Sequence, residues 1–162
     1  MGTPLALHSS RPTLFEAFWF VASFPLALFL PLWVAIGRGL FGSYGWYMLI
    51  TLILIAPALL LVQGAAVMTV TIRTFRAGRR ELPKGNRNSL ISLTLSSLIY
   101  GFTLVDFGDT PNSSRSALTA LAGEHLNGVS AVISLFALLA MIGSAIAYLV
   151  TAIVDKSWRT IG

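Results

Sequence analysis

The chain has 162 residues, 56% of them hydrophobic and only 10% charged, with 11 lysines and arginines against 6 acids and no cysteine. A soluble domain carries about 25% charged residues, so this composition excludes a soluble globular enzyme, a disordered tail and a fibrous protein. The lack of cysteine excludes disulfide scaffolds, thiolate metal sites and cysteine nucleophiles. What remains is a small polytopic membrane protein.

A membrane crossing takes about 20 mostly apolar residues, because the hydrocarbon core is about 30 Å thick and a helix rises about 1.5 Å per residue. Four stretches qualify: residues 15–36, 46–72, 89–107 and 126–154. None shows the short apolar–polar alternation of barrel strands, and lipid then leaves only helices. The expectation is an all-α membrane protein, a four-helix transmembrane bundle with short loops, forming one integral membrane domain over 1–162.

The first span carries Glu16 at its edge and Pro25 and Pro31 within. It is too long for a signal-peptide core and lacks a small-x-small cleavage site. Glu16 lies close enough to the boundary to snorkel. The second span has no charge, and it contains Pro57 and the amide Gln63. The basic segment 73–88 follows, with Arg73, Arg76, Arg79, Arg80, Lys84 and Arg87 against Glu81. Arg73, Arg76 and Arg80 fall on one helical face, so the second span is expected to continue about two turns past the bilayer. Each of these cations is attracted by anionic headgroups with about 1 kcal/mol.

The third span is the most polar. At about 100° per residue, Ser89, Ser92, Ser96, Tyr100 and Thr103 share an arc of about 80°, a hydroxyl stripe along the helix. It reads either as a hydrated path or as a packing seam. Spans two and three are sequence neighbours, and Gln63 matches Ser96 and Ser97 in depth. A hydrogen bond from Gln63 to one of them is therefore expected. The segment 108–125 reads as a loop, with Asp106 and Asp109 in a turn at its start. The fourth span is rich in small residues, and Ala140, Gly143, Ser144 and Ala147 form its candidate helix-packing or partner face.

Lysine and arginine set orientation. Counting Arg11, the basic segment, Lys156 and Arg159 on one side and Arg38 and Arg115 on the other predicts N-in/C-in, with 73–88 cytoplasmic and 108–125 outside. The basic balance is thus a positive-inside signature, and no nucleic-acid partner is expected. The excess of arginine over lysine hints at a bacterial cytoplasmic membrane.

No catalytic, metal or cofactor site is expected. Ser113, Ser114, Ser116, Glu124 and His125 match no nucleophile spacing. His8 and His125 fall on opposite sides of the membrane, so they cannot share one metal or haem. The functional expectation is a non-catalytic accessory or scaffold subunit that acts through other membrane subunits or self-association. The alternative is an oligomeric small transporter, channel or holin-like pore former, with the third-span stripe and Gln63 along the path.

Overall fold

The computed structural model describes residues 13–78, 81–108 and 114–154. Among them every regular element is helical. Helix α1 (Leu14–Ile36) starts on a capping box. The Glu16 amide donates to Thr13 Oγ1 at 3.3 Å, and the Thr13 amide donates to Glu16 Oε2 at 3.1 Å. This satisfies two of the otherwise free first-turn donors. Pro25 and Pro31 lie within α1 without ending it, and a 3-10 turn (Gly37–Phe41) follows.

Helix α2 (Trp46–Ile50), a π-helical turn (Thr51–Ile55) and helix α3 (Ala56–Arg76) run on as one rod. The π turn has a local cause. Pro57 lacks an N–H, and its ring crowds the carbonyl four residues back, so the helix widens just before it. Gly78, at φ +64°, then turns the chain out of α3. Helix α3 extends to Arg76, about one turn past the expected boundary at Ile72. Arg79 and Arg80 lie outside the described residues.

Helix α4 (Lys84–Thr103) starts after Pro83, whose fixed φ suits a helix entry. It begins before the expected boundary at Ser89 and ends earlier than Phe107, because Leu104 turns extended and carries the chain to Asp106. The segment 108–125 is not wholly irregular. It contains α5 (Ala117–Ala122), started by a Ser116–Thr119 capping box. After a 3-10 turn comes α6 (Asn127–Val154).

The four long rods pack as a ring: α1 on α4, α4 on α6, α6 on α3 and α3 on α1. The α4–α6 seam is the most extensive. Leu30 and Val34, Leu59 and Val70, Leu90 and Leu93, and Met141 and Tyr148 fill the core. The surface is the reverse of a soluble protein's. Phe18, Leu28, Ile53, Leu61, Met68, Phe136, Leu139 and Ile146 face outward, while Gln63, Thr74, Asn86, Ser97 and Ser130 are buried. Apolar faces of this extent match a hydrocarbon solvent.

Three rods are long and apolar enough to cross a membrane: Leu14–Phe41, Trp46–Arg76 and Glu124–Val154. Helix α4 falls short of that standard because of its hydroxyls and its cationic first turn, Lys84 and Arg87. It is held by its neighbours instead. Trp33 of α1 donates its indole N–H to the Leu98 carbonyl at 3.2 Å. The indole fits because Gly101 has no side chain: a Cβ there would lie 2.6 Å from Trp33 Nε1. Arg87 pairs with Glu16 at 2.9 Å, so Glu16 is a partner for α4 rather than a free snorkelling acid.

Gly101→Ala should destabilise the fold by about 1–3 kcal/mol, the cost of forcing a methyl into a packed contact. Gly143→Ala should leave stability unchanged or raised, since nothing lies within 4 Å of a Cβ at that position. Thermal unfolding of the two variants in the same detergent compares them directly.

Candidate functional site

The densest polar constellation sits where α1 and α4 end. Arg38, on the 3-10 turn after α1, and Asp106, just beyond α4, are both fully buried. Arg38 Nε lies 3.0 Å from Asp106 Oδ2. The same carboxylate caps the rod that starts at Trp46. Oδ1 accepts from the Tyr47 amide at 2.8 Å and the Phe107 amide at 2.9 Å, and Oδ2 accepts from the Met48 amide at 3.1 Å. Helix α2 has no side-chain cap of its own, because Gly45 stands at that position. A Cβ on Gly45 would collide with the Asp106 carboxylate and the Phe107 carbonyl, so glycine is what lets the cap arrive from elsewhere in the chain.

Two further contacts hold the pair. Asp106 and Arg115 exchange backbone hydrogen bonds of 2.8 and 3.1 Å. Arg38 Nη2 donates to Thr51 Oγ1 at 3.2 Å, and the Thr51 hydroxyl lies 2.7 Å from the Tyr47 carbonyl. Tyr47 and Phe107 meet edge to face, with ring centroids 4.9 Å apart. Both carboxylate oxygens of Asp106 are thus occupied by a cation and three amides. The group is placed to clasp three segments rather than to act as a base or a metal ligand. Asp106, expected in a turn after the third span, instead lies buried in a backbone bridge with Arg115; Asp109 lies outside the described residues. Among the described residues no group of three or more His, Cys, Asp or Glu could hold a metal.

The third-span hydroxyls bond within α4 and, at Ser92, to α6. Ser92 Oγ and Ser144 Oγ of α6 lie 2.7 Å apart. Ser96 donates to the Ser92 carbonyl and Thr103 to the Ile99 carbonyl, each at 2.8 Å. The Thr103 carbonyl accepts from Ser130 of α6 at 2.6 Å, and Ser130 bonds Ser116 at 2.8 Å. Tyr100 is buried and close enough to Arg38 to interact electrostatically, while Ser89 is half-buried. A shallow, mostly apolar groove opens beside Ser92 and Ser96, lined also by Phe136 and Ala140.

The expected bond from Gln63 to Ser96 or Ser97 does not form. Gln63 is buried with neither amide atom hydrogen-bonded, Ser97 Oγ is likewise unpaired, and Ser96 bonds its own helix. Sequence adjacency misled here: α3 and α4 sit at diagonal corners of the ring, each packed on α1 and α6. On α6 the four small residues do not share one environment. Ser144 is buried against α4 and Ala147 half-buried, while Ala140 and Gly143 face outward. Of the basic residues, Arg73 and Arg87 are half-buried, and Arg76 and Lys84 are exposed.

The Arg38–Asp106 pair was within reach of sequence reasoning. Both residues stand at the ends of spans assigned to the same side, with opposite charges. The isolated look of Arg38 in its loop concealed this. No protein-family model matches the chain, and no curated protein or solved structure matches it either.

Removing one member of a buried pair strands the other charge. Arg38→Met should cost about 3–5 kcal/mol. Arg38→Met combined with Asp106→Asn should cost less than the sum of the two single changes, because the residues share one contact. Chemical or thermal unfolding of the three variants in detergent measures that coupling.

Proposed function

We propose that the chain is a non-catalytic integral membrane protein that crosses the bilayer four times, N-in and C-in, as an accessory or scaffold subunit of a larger membrane assembly. Helix α4 serves as the fourth crossing. Its 20 residues reach about 30 Å, and its polar face is covered by α1 and α6. The Glu16–Arg87 end is then cytoplasmic, with Arg73, Arg76 and Lys84 at the anionic headgroups. The Arg38–Asp106 clasp lies at the outer interface. The arginine-rich composition suits a bacterial cytoplasmic membrane.

The observation that carries this reading is where the polar side chains go. Buried and half-buried charges meet each other at Arg38–Asp106 and Glu16–Arg87, several span hydroxyls bond inside the chain, and the outward faces are apolar. Such a surface offers contacts to lipid and to other helices rather than chemistry. The outward Ala140–Gly143 face of α6 would let a partner helix approach closely. A second reading, an oligomeric transporter, channel or holin-like pore former, is favoured by unpaired polar atoms within the bundle, among them Gln63, Thr74 and Ser97.

Purification from native membranes in mild detergent, followed by native mass spectrometry, tests the assignment. Other polypeptides at fixed stoichiometry are expected. They should be lost in Gly143→Leu, which has open space around it within this chain, while the chain itself stays folded. A homo-oligomer alone would transfer the assignment to the pore-forming reading.

A further inference from the structure

The outer face of the ring carries shallow grooves between neighbouring helices. The groove between α3 and α6, which runs past Ala58, Leu59, Met141 and Ala145, is lined by apolar side chains alone. The groove between α4 and α6 reaches Ser92 and stops about two turns short of the cation Lys84. The groove between α1 and α3 differs from both. It holds about 400 Å³ and runs from Gly64 to Ile72 on α3, with Phe24 and Ala27 of α1 on its other side. It stays open because Gly64 has no side chain, and nothing lies within 4 Å of where a Cβ would stand.

Polarity rises along this groove in one direction. Gly64, Val67 and Met68 form its apolar part, and Thr71, the one polar side chain in its lining, stands nearer the end of α3. Arg76 follows Ile72 by about one turn. Helical side chains lean toward the N-terminus of their helix, so the Arg76 stem leans back over the turn that carries Ile72. Arg76 is exposed. The ion pairs among the described residues are Arg38–Asp106, Arg87–Glu16 and Arg115–Glu124, so no described acid neutralises it. Gly64 and Arg76 are ~18 Å apart along the helix at 1.5 Å per residue, against about 15 Å for half of the hydrocarbon core. A guest that fills the groove therefore spans one leaflet. It is apolar along its length and meets a guanidinium at its end, which are the proportions of a phospholipid with a net negative head. A guanidinium holds phosphate oxygens through two parallel N–H donors. Arg73 stands about 180° around the helix from Gly64 and lies outside the groove.

We infer that the α1–α3 groove seats one anionic phospholipid of the leaflet that holds Arg76, with an acyl chain beside Ala27 and Gly64 and the phosphate on the Arg76 guanidinium. In the scaffold reading these cations meet headgroups in general. The seat goes beyond that reading, because it is a single site with a shape, and it does not depend on which face is cytoplasmic.

The test is native mass spectrometry of the full-length protein in mild detergent, mixed with palmitoyl-oleoyl phosphatidylglycerol or with phosphatidylcholine of the same chains. The wild-type protein should retain one phosphatidylglycerol, in preference to phosphatidylcholine by about fivefold, the share of one headgroup cation. Arg76→Gln should retain the two lipids equally, and Arg73→Gln should keep the preference. Gly64→Leu and Met68→Trp put bulk into the groove from outward positions and should lose both lipids. Thermal unfolding in lipid-free detergent identifies which of these two variants is folded, and either one suffices. Gly143→Leu, on α6, should keep its lipid. Retention that a folded groove-filling variant leaves unchanged, with Arg73→Gln and Arg76→Gln lowering the preference alike, would overturn the seat in favour of diffuse attraction to headgroups. A wild-type chain that brings down no other polypeptide from native membranes, yet retains one phosphatidylglycerol, would remove the scaffold reading and support the seat.

Discussion

One carboxylate holds together segments that are distant in the chain. Asp106 meets Arg38 from the end of α1 and caps the rod that begins at Trp46, and its own position is set by the backbone pairing with Arg115. Without it, α2 would begin with its first amides unsatisfied, and Arg38 would be a buried cation with Thr51 as its side-chain hydrogen-bond partner. Both are expensive in a low-dielectric setting. The contact therefore decides where α1 stops, where α4 gives way to extended chain and where the second rod starts. The π turn belongs to the same unit, because it carries Thr51, whose hydroxyl accepts from Arg38 Nη2.

At the other end Glu16 and Arg87 join the starts of α1 and α4 with the charges reversed. Between these two ion pairs lies the Trp33 indole, seated on Gly101 and bonded to Leu98. Helix α4 is thus tied to α1 at three levels and zipped to α6 by Ser92–Ser144 and Thr103–Ser130. This explains how a helix too polar to qualify as a span on its own takes a place equal to its three apolar neighbours. Its polar groups reach partners on α1 and α6, and its apolar residues Leu95 and Ile99 face outward.

Several features were legible in the residues. The apolar stretches located the four long rods to within a few positions. Helical spacing put the third-span hydroxyls on one arc, and the structure turns that arc mainly toward α6. Its hydroxyls pair locally, which is why spacing alone left path and packing open. Gln63 is the opposite case. Depth matching was sound arithmetic, but it assumed that sequence neighbours are spatial neighbours, and in a ring of four one such pair becomes a diagonal. Asp106 was read as part of a turn after the third span, a local reading that says nothing of a partner 68 positions earlier.

The sequence by itself determined the element type and supplied runs apolar enough to cross a membrane. Long runs without charge can satisfy their backbone in lipid only as helices, and that follows from composition and length. It also determined several helix ends, through Thr13, Gly78, Pro83 and Ser116, because caps and breakers act within a few residues. Only the tertiary structure decided which helices touch, which charges meet and which polar atoms are left without a protein partner. Those depend on the order of the rods around the ring. Many arrangements bury similar apolar area, and a few directional contacts at Arg38, Asp106, Trp33 and Ser92 separate one from the rest.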